Sequence, residues 1–356
     1  MAQESDRLAN WKAIDMVDYR RWMIELDSEQ VDEIDRALYA VLDAGIPIET
    51  LARGDFAVPA FDAVVPEIHE RLENGRGVVV LRGLPAERYS RAQLRLIFWA
   101  LGLHLGTAVS QSSAGELMVD LCKIGDDAHR CACDGRPQCQ GLDFRTDSAD
   151  VVASLVTRAA KSGGLSVICS ALAIRDVIAS IRPDLLEVLY QPFWWSWKGR
   201  QGDGEQPYYA QPIYTENGGR FSSRIDSSDI VAAYEEFANE LQPLAECQIE
   251  ALTLVDTLAN DARFQLSMMF EPGDIQLLNN HVVYHARTGF ENYGGEARKH
   301  HLLRMWLSVP NSRPLSPLML PIYRDLRGGA VRGGFPARAK TRLLEAVQAP
   351  GQQHER

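Results

Sequence analysis

The sequence predicts an α+β chain with a mainly β core, a sandwich or barrel of short strands backed by helices. Three observations lead there. From Glu116 onward, short β-prone runs are separated by Gly, Pro and Asp. Before that point, apolar residues recur mostly at helical spacing. One long stretch, about 228–258, returns to helical spacing among the strands. Many short strands with a helical layer and a helical insertion pack as a backed sandwich or barrel. With no repeat and no flexible linker, the 356 residues read as one domain. Its parts are a helical layer at 1–75, a β core at 76–310 with the insertion, and a tail at 311–356.

The elements follow in order. Ser28 is placed to cap a helix whose apolar positions are Val31, Ile34, Leu38 and Val41. A second helix is expected over 61–72. The run Gly77-Val78-Val79-Val80-Leu81 reads as a buried strand closed by Gly83 and Pro85, and Ser90 opens another helix through Leu101. Strands are then expected at 117–124, 150–157, 165–170, 193–198, 208–214, 264–270, 275–278, 281–286 and 300–309. Pro243 falls inside the helical insertion and is expected to kink or split it. The tail after Pro310, rich in Pro, Arg and Gly, is expected to wrap the surface.

Composition narrows the function classes. A formal net charge of -11 argues against a nucleic-acid surface, which needs clustered Lys and Arg, but leaves room for a local cationic pocket. The first thirty residues hold no apolar signal core, and no window approaches eighteen uninterrupted apolar residues. A cytoplasmic protein with no membrane partner is the expectation. The six cysteines are unevenly spread and read as thiols or a metal site before disulfides.

Three segments carry the chemistry. They are Phe144-Arg145-Thr146-Asp147-Ser148, the turn Lys161-Ser162-Gly163-Gly164-Leu165-Ser166, and the long run from Gly273 through Asn279-Asn280-His281 to His285-Ala286-Arg287-Thr288. The last is followed by His300-His301-Leu302-Leu303-Arg304-Met305-Trp306-Leu307. On their own, Asp147 and His285 converging in a barrel mouth could hold a divalent metal, and Arg304 on a neighbouring strand could clamp a carboxylate. A packed core histidine with an ion pair is the plainer alternative.

In this order the segments resemble the TauD/TfdA-like (taurine dioxygenase-like) branch of the iron(II)/2-oxoglutarate oxygenases, from about Gly77 to Gly333-Gly334. Members carry a strand with His-x-Asp, a Gly-Gly turn, a distal His after an Asn-Asn or Asp-Asn pair, and an Arg-bearing strand ending in an Arg-Leu-Trp-Leu-like run. The resemblance implies a double-stranded β-helix, or jelly roll, with flanking helices. It also implies iron(II) and 2-oxoglutarate as cofactors in a pocket at one end of the roll. Asp147 then matches the carboxylate metal ligand and His285 the distal histidine. Ser166 falls where a hydroxyl contacts the co-substrate carboxylate, and Arg304 matches an arginine of the pocket wall.

Two positions depart from the pattern. Arg145 stands where the family has its first His ligand, and a guanidinium has no lone pair to donate. His300 stands four residues before Arg304, where the family carries an Arg for the far carboxylate of 2-oxoglutarate. Strand period two still turns 300, 302 and 304 to one face. His281 lies four residues before His285, roughly 13 Å along a strand, too far for both to reach one ion. Both cofactors are put in question by this degenerate facial triad.

The function expected is a biosynthetic tailoring oxygenase (hydroxylation, desaturation or a related oxidation) with an atypical metal site. Asp147 and His285 are the metal candidates, Arg145, Asp147 and His285 the catalytic set, and Ser166, His300 and Arg304 the cofactor-binding set. One alternative is a lyase, isomerase or cyclase that needs neither metal nor 2-oxoglutarate, with Arg145 bridging Asp147 and a substrate anion. A second is a non-catalytic ligand-binding protein. In each, the ligand is a small polar or anionic metabolite.

Secondary features read more plainly. His129, Cys131, Cys133 and Cys139 offer four soft ligands, but Cys-x-Cys is awkward for two ligands on one zinc, so surface or packed thiols are the simpler reading. In Phe193-Trp194-Trp195-Ser196-Trp197, alternation sends Trp194 and Trp195 to opposite faces, one toward core and one available to substrate. Lys161-Ser162-Gly163-Gly164 lacks the spacing of a phosphate loop and reads as a turn. Asn279-Asn280 and Asp274 read as turn formers.

Overall fold

The structure, a computed structural model, describes residues 6–121, 138–139, 141–292 and 300–337. Strand β1 (Met23–Glu25) precedes helix α1 (Ser28–Asp43). The cap of α1 is Asp27 rather than Ser28. Its carboxylate accepts from the Gln30 N–H, and the Gln30 side chain reciprocates on the Asp27 N–H. Val31, Ile34, Leu38 and Val41 are buried as expected. The helix expected over 61–72 is two pieces, a single turn at Pro59–Asp62 and α2 (Val65–Glu73), each with proline in its first turn. Strand β2 (Val78–Arg82) is followed by α3 (Arg91–Leu105), capped by Ser90 with Gln93 closing the box.

The strands then come in quick succession: β3 (Thr107–Val109), β4 (Met118–Asp120), β5 (Gln138–Cys139), β6 (Leu142–Arg145), β7 (Val151–Arg158), β8 (Ser162–Gly163) and β9 (Ser166–Ser170). Helices α4 (Ala171–Ile181) and α5 (Pro183–Leu189) follow. Two hairpins come next, β10 (Pro192–Ser196) with β11 (Tyr208–Pro212), and β12 (Tyr214–Asn217) with β13 (Arg220–Ser223). The helical insertion is split as Pro243 foretells, into α6 (Ser227–Glu236) and α7 (Glu246–Ala259). Strands β14 (Gln265–Met268), β15 (Ile275–Asn279), β16 (Val283–Arg287), β17 (Phe290–Glu291) and β18 (His301–Ser308) complete the series.

Two sheets face each other. The larger has seven strands in the order β1-β2-β15-β7-β18-β3, with β4 also on β18. The smaller runs β14-β9-β16-β6, and β5-β17-β8 form a small edge sheet. Strand alternation divides the large sheet between two cores. Val79, Leu81, Leu155, Leu277 and Met305 point to the layer of α1, α2 and α3. Val78, Val80, Val152, Leu278 and Trp306 point the other way, into one cluster with Ile168, Cys169, Val283 and Tyr284 of the small sheet. This is a jelly roll with α1, α2 and α3 layered on the large sheet, while α4, α5 and α7 pack into the cluster that holds the small sheet, so the helices buttress more than one sheet.

Three expectations need correction. Helices α4 and α5 and the β12–β13 hairpin were not foreseen. The strand expected at 281–286 starts at Val283, because Asn279 Oδ1 accepts the His281 N–H and bends 279–282 into a turn. The tail does more than wrap the surface, since Arg313, Arg332 and Phe335 are buried. Among the described residues, no helix is long and apolar enough to cross a membrane.

Candidate functional site

The site forms where β6 runs out. Beyond Arg145 the chain is pinned by Thr146, whose N–H donates to the Ile225 carbonyl at 2.8 Å and whose hydroxyl accepts the Ile225 N–H at 3.1 Å. The Asp147 N–H donates to Asn280 Oδ1 at 3.0 Å, and Asn280 Nδ2 donates to the Ala149 carbonyl. Asn280 therefore does more than form a turn. It fixes the backbone of the site carboxylate.

His285 sits on β16 in direct register with Arg145. Its Nε2 lies 3.7 Å from Asp147 Oδ2, and Arg304 Nη1 lies 3.8 Å from Asp147 Oδ1. Arg304 is oriented by Gln111, whose Oε1 accepts from its Nε at 2.8 Å. Three residues far apart in sequence thus converge as expected. Among the described residues, Asp147 Oδ2 and His285 Nδ1 are buried without a hydrogen-bond partner.

Electrostatics keep His285 neutral. Burial pushes its pKa down to about 4; Asp147 and Asp226 oppose that, while Arg145 and Arg304 reinforce it. Burial alone would raise Asp226, but Arg145 and a hydrogen bond from Ser228 hold its carboxyl below the usual range.

All of this opens into a cavity of about 520 Å³ between the two sheets. Val152, Ser154, Val156, Gln276, Leu278, Leu302 and Arg304 line it from the large sheet, and Arg145, Ser166, His285 and Arg287 from the small one. His300, Leu302 and Arg304 all line it, as period two requires, although a bulge shifts the β18–β7 register between His301 and Leu302. The Ser166 hydroxyl pairs with the Gln276 amide at 3.1–3.2 Å. His300 Nδ1 meets the Arg158 carbonyl at 2.8 Å, leaving Nε2 buried without a partner among the described residues.

Other candidates fall elsewhere. His281 is bound to Asp150 at 2.9 Å, away from the cavity lining. None of Trp194, Trp195 and Trp197 lines the cavity. Trp195 is core, and Trp194 packs edge-on against Tyr208. Ser162–Gly163 pairs with β17 as the short edge strand β8 rather than forming the expected turn, and Gly163 and Gly164 are both at positive φ. Asp274 accepts the Glu271 N–H, as a turn former does. His129, Cys131 and Cys133 lie outside the described residues, as does the Cys139 side chain.

Sequence reasoning missed several lining residues: Asp226 and Asp229 at the start of α6, Lys198 and Arg200 in the β10–β11 turn, and Arg287. Asp226 caps α6, accepting the Ser228 N–H. Arg287 could have been found, because it lies two residues from His285 on the same strand face. As for a metal, Asp147 and His285 supply two donors. Among the described residues, no group of three His, Cys, Asp or Glu side chains is placed to hold one.

Residues 45–306 match the family model described as taurine catabolism dioxygenase TauD, TfdA family. The chain belongs to the TauD/TfdA family. This TauD/TfdA member is 29% identical to FR-33289 synthase of Streptomyces rubellomurinus over 88% of its own length and 93% of the relative's. It is 28% identical to a taurine hydroxylase-like protein of Stachybotrys chartarum, over 80% of this chain and 74% of the other. Among solved structures it resembles asparagine oxygenase in complex with Fe(II), 3-hydroxyasparagine and succinate, with TM-score 0.61 and 14% identity over 81% and 93% of the two chains. It also resembles the non-heme iron oxygenase OrfP in complex with Fe and alpha-ketoglutaric acid, with TM-score 0.58 and 14% identity over 80% and 94%. At such identity the structures speak for the jelly-roll fold, while the TauD/TfdA match makes this a dioxygenase-family enzyme.

Proposed function

We propose that the chain is a tailoring oxygenase acting on a small polar or anionic metabolite, with a metal site reduced to Asp147 and His285. The observation that carries this is the pair itself. Among the described residues, a buried carboxylate oxygen without a hydrogen-bond partner stands 3.7 Å from Nε2 of a half-buried imidazole, both in the wall of a cavity of about 520 Å³. These two side chains fit as metal donors, whereas Arg145 does not. Iron(II) held by them would supply oxygen activation at the expense of 2-oxoglutarate.

The chain's own residues do the rest. His285 keeps its nitrogen lone pair free at neutral pH, because burial and the nearby arginines keep it unprotonated. Arg304, aimed by Gln111, presents its remaining guanidinium edge to a carboxylate, and Arg145 adds positive charge across the pocket. Ser166 and His300 stand on the wall assigned to the co-substrate. Neutral His300 cannot replace a missing Arg charge there, so we assign that charge to Arg287 beside it. The apolar residues Val152, Val156, Leu278 and Leu302 restrict water. We take 1–356 as one unit, with the parts set out from the sequence.

A second reading has its own observation. Arg145 is the direct strand partner of His285, placing a permanent cation beside the metal candidates. In that reading the site needs neither metal nor 2-oxoglutarate. His285 acts as base and the arginines stabilise developing negative charge, as a lyase, isomerase or cyclase requires.

Metal content decides between them. Iron is measured by plasma mass spectrometry before and after anaerobic loading, in the natural protein and in Arg145→His. Near-stoichiometric iron in the natural protein supports the oxygenase. Iron in Arg145→His alone discards it and leaves the metal-free reading.

A further inference from the structure

We propose that a small polar chamber behind Asp147, walled by Arg224, is a binding subsite for a single carboxylate group of the bound small molecule. The inference rests on the adjoining cavity being the substrate site. The chamber has a volume of about 40 Å³ and opens from the main cavity, sharing Gln111, Arg145, Asp147 and Arg304 with it. Arg224, Ser148 and Trp306 line the chamber alone.

Arg224 is the reason to look here. It is 2% exposed, yet its guanidinium is poorly matched. Nη2 reaches the Ser148 hydroxyl at 3.3 Å, while Nε and Nη1 are buried with no hydrogen-bond partner among the described residues. The nearest carboxylate oxygen, on Asp229, is 3.7 Å away, and Asp229 is already held by Lys198 at 2.9 Å and Arg200 at 3.0 Å. One face of the guanidinium lies over Trp195, 4.2 Å from the ring centre, which orients the group without satisfying its donors. The indole N–H of Trp306 is a further buried donor with no partner among the described residues.

What fills the chamber must therefore accept hydrogen bonds from donors that cannot themselves accept. Charge narrows it further. Among the described residues, Arg224, Lys198 and Arg200 share Asp229 as their ion-pair partner, so the carboxylate nearest Arg224 is already committed to two other cations. A buried charge without a counter-charge is costly, and a water molecule would satisfy donors but not charge. Size completes the assignment. At about 40 Å³ the chamber has room for more than a single water and admits a small planar group such as one carboxylate.

The test uses acetate and its neutral isostere acetamide, titrated by calorimetry into the natural protein, Arg224→Gln and Arg224→Lys. Acetate is expected to saturate one site and acetamide to bind far more weakly. Arg224→Gln should weaken acetate by about ten-fold or more, and Arg224→Lys by less. Should Arg224→Gln not fold, the natural protein decides through nuclear Overhauser contacts from acetate methyl protons to the Trp306 indole N–H, assigned with Trp306→Phe. Displacement of acetate by 2-oxoglutarate would give the carboxylate to the co-substrate, and its persistence would give it to the substrate. Either keeps the subsite. Equal binding of acetate and acetamide, unchanged acetate affinity in folded Arg224→Gln, or absence of those contacts overturns it. Iron uptake, measured separately, should be the same in Arg224→Gln as in the natural protein, so failure of the oxygenase reading leaves this result independent.

Discussion

At the scale of single residues, His300 illustrates how a site position changes character with its neighbours. Its Nδ1 contact to the Arg158 carbonyl fixes Nδ1–H as the donor and leaves Nε2 as a bare acceptor. Burial, then Arg287, pushes its pKa to about 4 against that opposing hydrogen bond. Between pH 6.5 and 4 the unfolded chain binds a proton on this residue that the folded chain refuses, so His300 makes stability fall as pH falls through that window. From about 6.5 to about 4, the contribution is about 3 kcal/mol as an order of magnitude. Urea unfolding of the natural protein and His300→Gln, measured from neutral pH to pH 4, should show the natural protein losing stability relative to the variant as pH drops. Two parallel curves would mean that His300 is protonated as easily folded as unfolded. Arg145 is the sharper case, because in the function proposed above this one side chain decides whether the site takes up a metal. Its identity was legible in the sequence, and so was its inability to ligate. Its position opposite His285 required the register of β6 on β16.

At the scale of elements, the turn between β14 and β15 shows what was legible and what was not. Pro272-Gly273-Asp274 announced a turn, and Gly273 adopts φ +101, which L side chains rarely adopt. The sequence could not show that a Cβ at Gly273 would come 1.9 Å from the Leu84 carbonyl. Nor could it show that Asp274 grips Arg82 through two hydrogen bonds of 2.9 and 2.6 Å. The Gly273 N–H also donates to the carbonyl of Val156, a cavity-lining residue, so the turn helps set the end of β7. Gly273→Ala should therefore cost about 2 kcal/mol or more in denaturant unfolding. A cost near zero would mean that the turn relaxes without strain. Strands with a continuous apolar run, such as β2, were readable because both of their faces are buried. Helices α4 and α5 were missed because Ala171–Ile181 is apolar enough to pass for strand continuing from β9. Its starting signal, the Ser170 hydroxyl accepting the Ala173 N–H, lies inside what reads as the end of that strand.

At the scale of the whole molecule, the tail is tied to distant parts of the chain and through them to the site. Arg332 donates to Asp150 Oδ1 at 2.9 Å through Nε, and Asp150 also holds His281 and the Ser308 hydroxyl. The guanidinium also reaches the carbonyls of Arg313 and Arg327. None of this is readable locally, since Arg332 and Asp150 lie 182 residues apart and a Pro, Arg and Gly-rich tail looks solvent-bound. Asp150 is three residues from Asp147, and its carbonyl accepts the N–H of Asn280, which in turn holds Asp147. Arg332→Ala would leave a buried carboxylate with its principal cation removed, a loss of about 3–5 kcal/mol. Arg332→Lys should recover only part, because an ammonium cannot reproduce the planar fork that reaches three acceptors. Thermal unfolding measures the loss. If Arg332→Ala unfolds like the natural protein, the tail is an appendage rather than an anchor. If it loses stability while acetate affinity is unchanged, the Asp150–Asn280–Asp147 linkage does not carry tail packing to the site. Loss of both is the expected result, because Asp150, whose carboxylate Arg332 holds, anchors through its carbonyl the Asn280 that aims Asp147.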